Sequence, residues 1–434
     1  MTMNNNRLLK IEMLSTGDEV LQGDIADTNA AWLGQKLGDL GLKFQSRHTV
    51  ADDLDDLVSS MRECAKRSDW VFVNGGLGPT SDDCSAQAAA RLLGVELELY
   101  QPWLEQLQQW YARKNLVMPQ SNAKQAMLPK GAEFVDNPVG TACGFIIEYE
   151  GAKLIFTPGV PSEMKKMALE QWFPRLPVSF DTGVKRFYSF GLSESWLNDK
   201  IDKLTLPLGA RIGYRSARPS IEIKIFYDGR CGVDTRLSFE AQVRELIGSF
   251  LFCEDQGNWA QSLQDEMLVR KLKLSLAESC TGGMIADQLV AQAGSSAYFV
   301  GGIVAYSNSV KSQILKVSDK DLAQYGAVSL SVVEQMAQGV RQVLGSDIGI
   351  ATSGVAGPDG GSESKPVGTV CFAISTANAS FSQTLKFSSP GRHPIRVMAT
   401  AVAMDMLRRY LNGLSLSADY QLASRIEQQG SEFL

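Results

Sequence analysis

The sequence predicts an α/β protein built as two layered α/β domains joined by a small α+β module, and three observations predict it. Its 434 residues exceed what one hydrophobic core usually organises, and at about 150 residues per domain the chain divides into two or three modules. The composition, 44% hydrophobic and 21% charged with 39 glycines, is that of a soluble α/β enzyme rather than of a disordered or fibrous chain. Apolar strands also alternate with helical periodicities toward both ends of the chain, the pattern of a parallel sheet with helices on both faces.

The first domain, residues 1–172, opens with an apolar strand at Leu8–Ser15. Helices follow at Thr28–Gly41 and Leu54–Arg67, then a buried strand at Trp70–Asn74, a helix at Ser85–Leu93 and a buried strand at Ala152–Thr157 ending on the turn Pro158-Gly159-Val160-Pro161. Ligands of such sheets bind beyond the carboxyl ends of the strands. Thr16-Gly17-Asp18-Glu19 and the run from Gly75 to Thr80 both occupy such ends.

Between 178 and 254 the pattern becomes a strand at Arg186–Phe190, a helix near Ser195–Leu204, an alternating strand at Ile221–Phe226 and a helix at Val233–Phe250. Gly229-Arg230-Cys231-Gly232 gives this module a KH-like GxxG string. In RNA-binding KH domains that loop joins two helices, whereas here it follows a strand, so a plain turn is expected. The polar stretch Glu254–Gln264 reads as a linker. The last domain, 262–412, runs through a strand at Lys271–Leu276, a helix from Gly282, a strand at Ile303–Tyr306, a helix at Ser331–Leu344, strands at Asp347–Thr352 and Thr369–Thr376, and a helix at His393–Tyr410. The Ser- and Gln-rich tail, 413–434, is expected to fray.

Charge and composition exclude several functions. A net charge of −6 without a basic stripe argues against nucleic-acid binding, which needs clustered Lys and Arg. The seven cysteines are scattered and never spaced as CxxC, so neither a disulfide framework nor a zinc site is expected and a reducing cytoplasm fits. The longest uncharged run, Gln288 to Val310, is broken by glycines and serines, so no membrane span is expected, and Met1 to Lys10 lacks the apolar core of an export signal. With two histidines, His48 and His393, base chemistry falls to Lys, Tyr, Asp or Glu.

Two constellations carry chemistry. Asn74-Gly75-Gly76-Leu77-Gly78-Pro79-Thr80-Ser81-Asp82-Asp83 follows a strand and opens a helix, where backbone N–H groups and the helix dipole can receive an anion and Asp82 and Asp83 can hold a hard divalent cation against it. The same residues also make a tight turn with aspartates complementing a helix N-terminus. In the second, Ala277-Glu278-Ser279-Cys280-Thr281-Gly282-Gly283 puts Ser279 at a strand-to-helix corner, where helix-start N–H groups can stabilise an oxyanion, or where Ser279 or Thr281 simply caps the helix. Tyr306 and Lys311, at the end of another strand, can face the same cleft, and a desolvated lysine can act as base. Singly, each reads as a core tyrosine and a surface lysine. The glycine loop Thr352 to Gly361, with Ser353, Gly354 and Gly357, and the arginines Arg392 and Arg396 suit a nucleotide 5′-phosphate, or are a flexible loop beside solvent-facing arginines.

These strings resemble the CinA family. Gly75 to Asp83, together with Thr16 to Glu19, Asp27-Thr28-Asn29, Asn137 to Ala142 and Pro158 to Glu163, is similar to the family's amino domain, which is molybdopterin-binding-like. Cys143 stands where that family commonly carries proline. AESCTGG, YSN followed by Lys311, SGVAGPDGG and KPVGT match the CinA carboxyl domain over about 265–411. The resemblance implies a nicotinamide mononucleotide amidohydrolase with Ser279 as nucleophile, Lys311 as base and Tyr306 assisting, and Cys280, Thr281, Gly282, Gly283, Ser353, Gly354, Gly357, Arg392 and Arg396 binding the substrate. It further implies a metal-dependent ADP-ribose pyrophosphatase. Glu19, Asn29, Gly75, Gly76, Gly78, Thr80 and Asn137 would line that pocket, with Asp82 and Asp83 on a divalent ion of the cobalt or magnesium class. The amidase is expected to need no cofactor, and the chain to be a homodimer. The other readings are a molybdopterin-type binding protein without pyrophosphatase turnover and a competence-related partner protein.

Overall fold

The computed structural model of the chain describes residues 9–176, 182–255, 257–388 and 391–434. Leu8 of the first expected strand, the module boundary at 178 and Gln256 of the expected linker lie outside the described residues. Two compact units divide the chain: Met1–Val184 with Tyr227–Gly229, and Lys185–Phe226 with Arg230–Leu434.

In the first unit, strands β1 (Ile11–Thr16), β2 (Phe44–Val50), β3 (Trp70–Asn74), β4 (Leu97–Leu99), β5 (Met127–Pro129), β6 (Glu133–Val135), β7 (Gly144–Tyr149) and β8 (Ala152–Thr157) form a six-stranded sheet of order β2-β1-β3-β8-β7-β6, with β4 and β5 paired apart. Every residue of β1 and β3 is buried, as central strands covered on both faces require. The helices Leu54–Arg67 and Ser85–Leu93 pack Leu57, Met61, Ala88 and Leu92 in one core, while Leu33 and Leu37 of the helix Thr28–Asp39 join Trp172 in another. The Asp53 carboxylate caps Leu54–Arg67 through the Asp55 and Asp56 N–H groups, a contribution of about 1 kcal/mol. The sheet is parallel from β2 through β8, but β7 and β6 run antiparallel, so the expected all-parallel sheet is mixed.

The second unit holds, but for Gly183, Val184 and Tyr227 at strand ends, a sheet of β9 (Gly183–Phe190), β10 (Ala210–Ala217), β11 (Ser220–Tyr227) and β12 (Leu251–Glu254) in the order β10-β11-β9-β12, with helices Glu194–Ile201 and Val233–Ile247 between them. That is the split β-α-β arrangement. Gly229 to Gly232 joins a strand to a helix, as expected of a turn, so the KH-like string lacks the helix–loop–helix setting of that motif. The expected linker is structured: the Glu254 carboxylate receives Arg244 and Lys185, and Trp259, opening the helix Trp259–Arg270, stacks on Phe252 at 4.0 Å. Tyr188, Phe190, Phe252, Leu263 and Tyr420 share one core, so the module and the last domain are packed as one body.

The remaining strands, β13 (Leu274–Glu278), β14 (Phe299–Val304), β15 (Ile348–Gly354), β16 (Thr369–Ser375), β17 (Ser380–Phe387) and β18 (Ala423–Gly430), form a sheet of order β14-β13-β15-β16-β17-β18. Its first three strands are parallel and its last three antiparallel. The helix Leu330–Leu344 covers one face through Val333, Met336 and Val340. The helix Arg392–Leu411, buried on nearly every side with Asp405 paired to Arg408 and Arg409, lies on the other. The tail does not fray: β18 pairs with β17, Leu416 is buried, and the Tyr420 hydroxyl donates to Asp405 at 2.8 Å. Among the described residues no helix is long and apolar enough to cross a membrane, and all seven cysteines are unpaired thiols.

Candidate functional sites

The register of the second sheet assembles one site. Glu278, the last residue of β13, pairs with Val304 on one side and Thr352 on the other, so three parallel strands end at one level. Ser279, the segment Ala305–Lys311 and the loop after Gly354 leave from that level, as expected beyond the carboxyl ends of parallel strands. Ser307 caps the short helix Asn308–Gln313, which carries Lys311 inward.

Lys311 is 1% exposed, and its Nζ donates to Ser279 Oγ at 3.3 Å, to the Ala305 carbonyl at 2.7 Å and to the Tyr306 carbonyl at 3.3 Å. Burial holds its pKa below the ordinary 10.5, because a desolvated ammonium is disfavoured. The three acceptors match the three N–H groups of the charged amine. Once one proton is lost, the two carbonyls can keep two N–H groups and turn the lone pair toward Ser279. Cys280, beside the serine, is buried and its thiol is pushed up to about 12 by desolvation, so it stays protonated at neutral pH.

Other expected positions fall differently. The Tyr306 ring is 64% exposed and its hydroxyl accepts from Arg392 Nη2 at 3.0 Å, so only its carbonyl, not its phenol, reaches the lysine. Arg392 Nη1 donates to the Gly357 carbonyl, tying the glycine loop to the last helix. Arg396 does not point to open solvent: it donates from Nε to the Cys280 carbonyl at 3.1 Å and from Nη2 to the Thr281 carbonyl at 2.7 Å. Ser353 is buried with its hydroxyl on the Ala327 carbonyl, and the Thr281 hydroxyl is bound to that of Thr352. Gly282, Gly283 and Gly354 lie at the expected corners, Gly282 and Gly283 with φ of 60° and 94°.

Sequence reasoning missed Glu278. Its buried carboxylate accepts the N–H groups of Gly283, Ile285 and Ala286 at 2.9, 3.2 and 2.9 Å. The helix-start donors expected to serve an oxyanion are therefore already engaged. A carboxylate placed just before the serine was the available signal.

The first unit holds a cavity of about 470 Å³ at the ends of β1 and β3. Glu19, Asn29, Gly75, Gly76, Gly78, Asp82 and Asp83 line it, together with Asp27, Asp52 and Glu163. A side chain at Gly78 would push the Asp83 carboxylate aside, so the glycine leaves that carboxylate room to lie over the turn. Thr80 and Asn137 are not among the lining residues. Thr80 spends its N–H and hydroxyl on Asp83 Oδ2, and the buried Asn137 braces its own loop through Ala142, Val139 and Gly140 while donating to Glu163.

Six acidic residues and no basic one line this cavity, so a phosphate would be repelled unless a cation accompanied it. Asn29 Oδ1 is buried without a hydrogen-bond partner, a further oxygen left unsatisfied there. Burial pushes the Glu163 carboxyl above the usual range, partly opposed by the Asn137 bond. Among the described residues no group of three closely spaced His, Cys, Asp or Glu side chains includes Asp82 or Asp83, so a cation held there would take most of its oxygens from phosphate and water, as magnesium-type ions do. Glu12, His48 and Cys64 cluster closely, but Arg67 donates to both Glu12 oxygens and already supplies the positive charge.

Comparison with known proteins follows the two units. Residues 12–178 match the family described as "Probable molybdopterin binding domain" and residues 257–411 the "CinA C-terminal domain". A CinA-like protein of Shewanella woodyi is 47% identical over 97% of this chain and 100% of its own length. One of Shewanella sediminis is 47% identical over 96% and 99%. A solved structure, the protein CinA with unknown function from Thermoplasma acidophilum, is 33% identical over 37% of this chain and 95% of its own, with a TM-score of 0.35.

Proposed function

The chain belongs to the CinA family, and from that premise we propose that its last α/β domain is an amide hydrolase converting nicotinamide mononucleotide to nicotinic acid mononucleotide and ammonia. The observation that carries the reading is a buried lysine, its pKa lowered, with Nζ 3.3 Å from the hydroxyl of a strand-end serine. Neutral Lys311 takes the Ser279 proton, and Ser279 Oγ bonds to the amide carbon. The carbonyl π electrons pass to oxygen, and the tetrahedral intermediate collapses as Lys311 returns the proton to the leaving nitrogen, which departs as ammonia. Water, deprotonated by the same lysine, then adds to the ester, and Ser279 leaves with its proton restored. Arg392 and the glycine loop around Gly357 suit the 5′-phosphate, and Tyr306 assists by holding Arg392.

For the first domain we propose a metal-dependent pyrophosphatase acting on ADP-ribose. Its support is the cavity whose charged lining residues are all acidic, which fits a divalent cation held by Asp82 and Asp83. Such an ion would neutralise phosphate charge and lower the pKa of a bound water. The amidase reading is tested by incubating the purified chain with nicotinamide mononucleotide in a metal chelator. Ammonia and the acid nucleotide should rise in equal amounts, and the absence of both refutes it.

A further inference from the structure

We propose that Arg396 is a positioning residue that shapes an oxyanion hole from the N–H groups of Thr281 and Gly282, and not a ligand of the substrate phosphate. This rests on the amidase reading above. The loop from Ser279 to Gly283 is tied down at each end and along one side. Ser279 N donates to the Thr352 carbonyl at 3.0 Å, the Thr281 and Thr352 hydroxyls bond at 2.8 Å, and Gly283 N donates to Glu278. Arg396 completes the frame by holding two consecutive carbonyls, those of Cys280 and Thr281.

A trans peptide is planar, so its C=O and the next residue's N–H point in opposite directions. Drawing the Cys280 carbonyl to the guanidinium turns the Thr281 N–H away from it, and drawing the Thr281 carbonyl turns the Gly282 N–H away likewise. Among the described residues, the N–H groups of Cys280, Thr281 and Gly282 meet no protein oxygen, and the Cys280 sulfur beside the first two is a weak acceptor. Thr281 is wholly buried, and a buried N–H without an oxygen partner is rare. Two parallel donors, two and three residues past the nucleophile, are the arrangement that receives a developing alkoxide. Glu278 has taken the helix-start donors, leaving this loop as their replacement. A planar guanidinium suits the task because its fixed fork spans two carbonyls, which an ammonium matches poorly.

The two roles for Arg396 separate in kinetics. The full chain and its Arg396→Ala and Arg396→Lys variants are compared in ammonia release from nicotinamide mononucleotide, with thermal unfolding as the folding control. Positioning predicts kcat lower by roughly 10²-fold in Arg396→Ala, as for a misplaced reacting geometry, with KM changed less than about threefold. Arg396→Lys, which keeps the charge, should still lose about tenfold or more in kcat. If Arg396→Ala does not fold, the lysine variant decides: a fall in kcat at constant KM supports the proposal, and a normal kcat overturns it. A raised KM at unchanged kcat assigns Arg396 to the phosphate and overturns it as well. A wild-type chain releasing no ammonia sinks the amidase reading and this proposal together, whereas an active wild type with an unaffected Arg396→Ala sinks this proposal alone.

Discussion

Replacing Lys311 by methionine isolates the amine from the stem that carries it. The side chain is buried, so methionine keeps most of the apolar volume while removing the atom that contacts Ser279 Oγ and two carbonyls. Loss of a positioned base costs about 10²–10⁴-fold in rate, and that is the expected fall in ammonia release. Residues acting as one unit are non-additive, so Ser279→Ala with Lys311→Met should be little worse than the more damaging single change. Stability moves the other way. Burial lowers the folded pKa of Lys311 below 10.5, so between that lowered value and 10.5 the unfolded chain binds more protons and stability rises with pH. The cost of the buried ammonium is fully present below the lowered pKa and vanishes above 10.5. Lys311→Met should therefore unfold at a higher temperature than the wild type at neutral pH, with the gap closing as pH rises. Colorimetric ammonia release and thermal denaturation measure the two effects. Near-normal deamidation by Lys311→Met would refute the assignment of the base.

Further outcomes follow from the same geometry. ADP-ribose cleavage should require a divalent cation and fall at least tenfold in Asp83→Ala, with ammonia release unchanged; full cleavage in chelator would sink the metal reading. Tyr306→Phe should cost far less than Lys311→Met, because the phenol contacts Arg392 and not the lysine, and equal losses in kcat would contradict the model of the base. Burial pushes the Glu12 carboxyl up, but its bonds to Arg67, Ser46 and Cys64 outweigh this and hold it at about 2. Its contribution to stability is present above the unfolded value of 4.5 and lost as pH falls toward 2. Arg67→Gln should thus make unfolding less sensitive to acid in that window, read from melting temperature against pH. Truncation after Asn412 should lower the melting temperature or abolish folding, since it removes β18 and leaves Asp405 without the Tyr420 hydroxyl; an unchanged melting temperature would show a dispensable tail.

Periodicity made the buried elements legible. Leu54–Arg67, Trp70–Asn74, Ser85–Leu93 and Ala152–Thr157 were read to the residue because apolar positions recur on one face or fill the strand. Edge and antiparallel strands were not. Phe44–Val50 alternates half-buried and exposed positions at a sheet edge. Ser380–Phe387 is buried on both faces, and Ser382, Gln383 and Thr384, polar residues that sequence assigns to the surface, are among its buried positions. The tail misled for the same reason: Leu416 and Tyr420 anchor it, but serines and glutamines dominate its composition.

Chemistry followed a similar division. Ser279 and Lys311 stand where strand ends and glycines mark a corner, and the register brings them together. Glu278, Arg396 and Asn137 bind backbone groups, and nothing in side-chain spacing announces which peptide a carboxylate, guanidinium or amide will hold.

The nucleophile is tested most directly by ammonia release from nicotinamide mononucleotide, measured side by side for the wild-type chain and Ser279→Ala in the presence of chelator. Removing the hydroxyl leaves Lys311 nothing to deprotonate for the first step, so the account predicts rapid release by the wild type. The variant should be slower by about 10³-fold or more, with unchanged thermal unfolding and unchanged metal-dependent ADP-ribose cleavage. A Ser279→Ala chain that releases ammonia at the wild-type rate would contradict it.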